Sequence, residues 1–181
     1  MGDGAAEKRF RPWGGVLNRA VPLFLAFGAV ALADVVLAWI RGISAQRALA
    51  AFLLATVLLW GMGALLGWLG MHLTYNPSAG GYVGNWSGFA GGIIGGPLGG
   101  MAGAMLGIAL SERAFTGSWP RPLPLALSGV MLLVLAGFTV AVFLKFNSPD
   151  EQAGRAVFVV VPLFGGGAVL GWLLGMSRTA T

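Results

Sequence analysis

The sequence predicts an all-α fold, a polytopic transmembrane helix bundle, and three observations lead there. The chain of 181 residues is 57% hydrophobic and 9% charged, with a mean hydropathy of +0.82. Soluble domains carry roughly 25% charged residues. The chain also divides into apolar runs of about 20 residues, the length a helix needs to cross hydrocarbon, set apart by polar or turn-rich connections. Finally, ten of the 24 residues from Gly84 to Gly107 are glycine, spaced every four residues. That is the small-xxx-small pattern that lets helix backbones meet in a bilayer. The expected organisation is a basic cytoplasmic tail at 1–20, one transmembrane bundle at 21–176 and a short tail at 177–181. The expected location is a bacterial inner membrane, with the N-terminus inside.

The elements follow in order. Residues 1–20 hold Lys8, Arg9, Arg11 and Arg19, with Pro12, Gly14 and Gly15 opposing a long helix. Val21–Ile40 is the first span. Arg19, an apolar run and Ala31-Leu32-Ala33 also suit a cleaved signal peptide, but the run continues through Val35, Val36, Leu37 and Ile40, which favours a retained span. Leu49–Met71 is the second span, with Gly63 and Gly67 four apart. The segment after it contains Asn76-Pro77 and Gly80-Gly81, which are turn signals. Leu123–Leu144 and Ala156–Met176 are further spans, the last carrying Gly167, Gly171 and Gly175. Trp13, Trp39, Trp86, Trp119 and Trp172 fall near predicted ends, as headgroup anchors do.

The glycine stretch has two rows. Gly84, Gly88, Gly92, Gly96 and Gly100 form one; Gly91, Gly95, Gly99, Gly103 and Gly107 form the other. On a helix turning ~100° per residue they lie side by side and make a packing face. Ile93, Ile94, Leu98, Met101, Met105 and Ile108 fall opposite. In water each interior glycine costs ~1 kcal/mol against alanine, so packing must compensate. From Gly84 to Leu110 is 27 residues, ~40 Å if helical. Pro97 removes one helix hydrogen bond midway. Two shapes fit: one helix kinked at Pro97, giving five spans, or a re-entrant pair of half-helices, giving four spans plus the pair. With an inside N-terminus the first places six Lys/Arg inside and five outside, the second seven and four. The positive-inside rule leans to the second.

Composition excludes several functions. The net charge of +5 comes from basic residues at segment ends, so it marks topology and headgroup contact rather than nucleic-acid binding. The absence of cysteine excludes disulfides, Fe–S clusters and Cys-based zinc sites. One histidine, His72, makes neither a metal site nor a triad. The glycine stretch lacks the Gly-Lys-Ser/Thr ending of a phosphate-binding loop. No enzyme activity, cofactor or metal is expected.

Asp34 is the acid inside a predicted span, six residues before Ile40. Such groups face a bundle interior or water and mark ion or proton paths. The structural alternative is an Asp34 that is simply protonated, or one hydrogen-bonded to a neighbour such as Thr56 on the second span. Tyr75, Asn76, Ser78, Tyr82, Asn85, Trp86 and Ser87 form a neutral polar and aromatic patch that suits either a small-molecule site or a satisfied loop.

The run from Gly95-Gly96-Pro97 to Gly107, followed by Arg113 and Gly117, resembles the glycine-proline-glycine segment of five-span sensor domains of the LytS type. It is more distantly similar to a segment of the substrate-binding components of energy-coupling-factor vitamin transporters. The sensor resemblance implies ligand sensing coupled to a signalling domain. Trp86 and Ser87 follow Asn85 where the sensors carry an Arg, so no functional residue is transferred. The function expected is a membrane component that binds or passes a small solute or ion. The alternative is a structural or accessory subunit docking, through its glycine face, on a larger membrane complex or on further copies of itself. The lipid bilayer is the expected partner in either case.

Overall fold

The computed structural model describes residues 12–75, 86–145 and 152–176. Five helices run in order: α1 (Pro12–Ile40), α2 (Ala45–Thr74), α3 (Trp86–Thr116), α4 (Pro122–Lys145) and α5 (Gln152–Gly175). Among the described residues, three helical segments are long and apolar enough to cross a membrane: Ala45–Thr74, Ala90–Thr116 and Pro122–Thr139. Phe24–Ile40 and Pro162–Gly175 are shorter apolar segments.

Two short connections share one end of the bundle. α1 stops at Gly42, whose φ of +75° is open to glycine at little cost. The Gly42 amide donates to Trp39 and the Ile43 amide to Ala38, the paired bonds of a Schellman C-cap. Ser44 then caps α2, its hydroxyl accepting from the Arg47 amide. α3 stops the same way at Gly117, with φ +71° and its amide bonded to the Arg113 carbonyl. This turn end therefore joins α1 to α2 and α3 to α4.

Pro97 does not break α3. Residues 86–116 form one helix with the proline inside it, so the re-entrant pair is not what forms. Gly96 has no Cβ for the proline ring to meet, which eases the restriction on the residue before a proline.

α3 and α2 pack antiparallel in a fixed register. A methyl group added to Gly95, Gly99, Gly103 or Gly107 would fall under 3.0 Å from the backbone of Leu66, Met62, Leu58 and Leu54 respectively, and at Gly91 from Gly70. The two residue numbers of each rung step by four in opposite senses, so the helices stay level along five rungs. At Gly91, Gly95, Gly99 and Gly103 a backbone carbonyl oxygen of α2 lies where a side chain would begin, an approach close enough for Cα–H···O contacts. The other row is looser: at Gly96 a methyl would find its nearest atom, the Gly63 carbonyl oxygen, at 3.8 Å. Of the residues opposite, Ile93, Ile94 and Leu98 are exposed, whereas Ile108 turns into the core.

The core is made of small side chains around a few large ones: Ala38, Ala48, Ala51, Phe52, Ala55, Ala104, Ile108, Leu132, Ala168, Val169, Trp172 and Leu173. Large residues such as Phe24, Leu32, Trp39, Val57, Leu123 and Phe138 face outward. That distribution suits lipid, where close backbone packing rather than apolar burial holds helices together. α5 supplies three packing faces. Gly167, Gly171 and Gly175 take Leu135, Leu127 and Pro124 of α4, Gly165 takes Phe52 and Thr56 of α2, and Gly166 takes Val30 and Asp34 of α1.

Candidate functional site

Asp34 is brought to the junction of α1, α2 and α5. It is 5% exposed, and its Oδ2 is buried without a hydrogen-bond partner among the described residues. Gly166 makes room for it: a methyl there would stand 3.2 Å from Oδ2 and 3.6 Å from Val30 Cβ. Gly165 makes the matching room for Thr56, whose hydroxyl would collide with a methyl at that position. Thr56 donates its proton to the Phe52 carbonyl one turn back, at 2.7 Å, rather than to Asp34. The hydrogen bond expected as the structural alternative is therefore not made.

The seam between α1 and α5 is closed at the turn end. Arg41 Nη1 donates to the Met176 carbonyl at 3.2 Å. Ala38, on the same face of α1 between Asp34 and Arg41, is fully buried. Beside this lies an ion pair the sequence reading missed. Arg47 of α2 clasps Glu112 of α3 with both ends of its guanidinium, Nε donating to Oε2 at 3.1 Å and Nη2 to Oε1. The same guanidinium sits 5.4 Å from the Trp172 ring centroid. Trp172 is 1% exposed, so it is a core residue beneath a cation and not a headgroup anchor. Trp39 and Trp119 are exposed as expected, Trp119 lying under Arg113. One sequence signal pointed at the pair: Glu112 is the sole acid between Asp34 and Asp150.

The neutral patch is not assembled within the described residues. Tyr75 is exposed at the end of α2. Asn76, Tyr82 and Asn85, with Ser78, lie outside them, and Trp86 begins α3. His72 is exposed at the same end, its Nδ1 3.0 Å from the Trp68 carbonyl and its ring stacked on Trp68. Among the described residues no three His, Cys, Asp or Glu side chains group as metal ligands.

The glycine face is already taken. Gly88 is buried at the start of α3, and Gly91, Gly92, Gly95, Gly99, Gly100, Gly103 and Gly107 meet α2 of the same chain. A partner complex would find Ile93, Ile94, Pro97 and Leu98 there instead, so the docking reading loses the surface it rested on.

No family model matches the chain, and neither does any curated protein or solved structure. The likeness to sensor and vitamin-transporter segments thus rests on that one stretch.

Proposed function

We propose that this is a non-enzymatic integral membrane protein that crosses the bilayer five times and binds or passes a small solute or ion, with Asp34 as the working group. One observation carries the reading: a carboxyl group sealed among the helices with an oxygen that no described residue satisfies. A polar atom left so is costly unless a ligand, proton or water uses it. Acids inside membrane bundles serve ion and proton paths by default. The α5 residue that meets it is Gly166, which brings no side-chain donor to neutralise the acid. An inside N-terminus goes with this reading. It places Lys8, Arg9, Arg11, Arg19, Lys145 and Arg155 in the cytoplasm against Arg41, Arg47, Arg113, Arg121 and Arg178 outside.

The test is purification in mild detergent, reconstitution into vesicles and measurement of proton, alkali-cation and small neutral solute movement. The wild type is expected to move one of these, and Asp34→Asn to move none while eluting unchanged. A wild type that moves nothing, and that purifies only within a larger assembly, overturns the reading in favour of an accessory subunit.

A further inference from the structure

We infer that the cargo is the proton, carried by Asp34 along the seam between α1 and α5. The inference rests on the proposed function and narrows it to one substrate class.

Space gives the first argument. Beside the carboxyl, the Cα of Gly166 faces Val30 so closely that one added methyl would overlap the Val30 side chain. On the α2 side of α5, Gly165 is pressed as tightly against Thr56. The carboxyl thus has no preformed room beside Gly166 for an organic solute, whereas a proton needs none. Ligand number gives the second. A hard metal cation gathers about six oxygens. Here Asp34 is the carboxyl that meets Gly166, and among the described residues no three His, Cys, Asp or Glu side chains group around a cation. A proton needs one lone pair, and Oδ2 offers it.

The surroundings leave the carboxyl to titrate alone. On the described side chains of α1, α2 and α5 the other ionisable groups are Arg41 at the end of α1, Arg47 and His72. Arg41 is bonded to Met176, Arg47 is bonded to Glu112, and His72 lies at the far end of α2 on Trp68. None is a counter-ion for Asp34. The exchange is simple: the carboxylate takes a proton from hydronium at one end of the seam, leaving water. The neutral acid then returns it to water at the other end. In the structure the carboxyl is occluded, with Arg41 and Met176 closing the turn end above it, so α1 must shift on α5 for each exchange.

The experiment uses vesicles holding a trapped pH dye, with a potential imposed by potassium and valinomycin. Wild-type protein is expected to acidify the lumen faster than protein-free vesicles, equally in sodium and in choline buffer. Asp34→Asn is expected to fall to the protein-free level. Dicyclohexylcarbodiimide, which adds to protonated carboxyls in apolar surroundings, is expected to block the wild type with one adduct at Asp34; this readout holds even where the variant misfolds. Sodium tracer moving without protons overturns the proton but leaves the proposed function standing. Movement of neither overturns both. Full flux in folded Asp34→Asn, or in protein carrying the adduct, overturns the role of Asp34.

Discussion

Gly103→Ala and Gly96→Ala add the same methyl to the same helix, yet the structure separates them. At Gly103 the methyl would meet the Leu58 carbonyl and the Leu59 amide nitrogen, both backbone and unable to swing aside. The α2–α3 pair would have to part, and the neighbouring rungs at Gly99 and Gly107 would loosen with it. Overpacking of this kind costs ~1–3 kcal/mol. Alanine returns up to ~1 kcal/mol of helix propensity, leaving Gly103→Ala destabilised by about 0–2 kcal/mol. At Gly96 the nearest atom is 3.8 Å away, an ordinary contact. That variant keeps the propensity gain and is expected within ~0.5 kcal/mol of the wild type or above it. The gap of about 2 kcal/mol is roughly 30-fold in the unfolding equilibrium. Reversible unfolding in mixed micelles, followed by fluorescence of the seven tryptophans, measures it. Equal stability of the two variants, or a weaker Gly96→Ala, would refute the five-rung register.

Two further outcomes follow from the geometry. Arg47→Ala leaves Glu112 nearly buried and unpaired, so it is expected to cost ~3 kcal/mol, within the range for breaking a buried pair; thermal unfolding should also show Arg47→Leu with Glu112→Leu losing less than Arg47→Ala alone. A single cysteine at Tyr75 and one at Ser118 are expected to react with an impermeant maleimide from opposite sides of the membrane, because α3 lies between them as one helix; labelling from the same side would restore the re-entrant pair.

The five helices, three of them long and apolar enough to cross a membrane, were legible because hydrophobic length is a local signal. Helix α1 beginning at Pro12 and α2 at Ala45 extends the expected spans toward their N-termini, since polar residues at an interface do not end a helix. Two features were not local. Both glycine rows of α3 obey the same period, and only the register against α2 separates Gly91, Gly95, Gly99, Gly103 and Gly107 as the close row. On α5 the visible ladder of Gly167, Gly171 and Gly175 serves α4, while Gly166, which meets Asp34, and Gly165, which meets Thr56, break the four-residue pattern beside it. Asp34 itself was legible, since an acid in an apolar run is conspicuous whatever surrounds it. Its lack of a partner was not, because Thr56 is free in sequence to bond it and in the structure turns back to Phe52. The Arg47–Glu112 pair joins residues 65 positions apart, beyond any periodicity argument.

The occluded carboxyl makes a mechanical claim about α1 that the chain is well suited to test, since it has no cysteine of its own. Val30 Cβ and a β-carbon built on Gly166 stand 3.6 Å apart. Disulfides span Cβ separations of about 3.5–4.5 Å, so Val30→Cys with Gly166→Cys is expected to close under mild oxidation and fix α1 on α5 in the sealed arrangement. The five rungs make α2 and α3 a stiff pair, whereas α1 presents Phe24, Leu25, Leu32, Val36 and Trp39 to lipid, which yields to a moving helix. If α1 is the part that exposes Asp34, the oxidised double variant passes no protons and dithiothreitol restores them, with each single-cysteine variant indifferent to oxidant. If the oxidised and reduced forms pass protons equally fast, α1 does not move on α5 during exchange, and the path to Asp34 runs elsewhere than this seam.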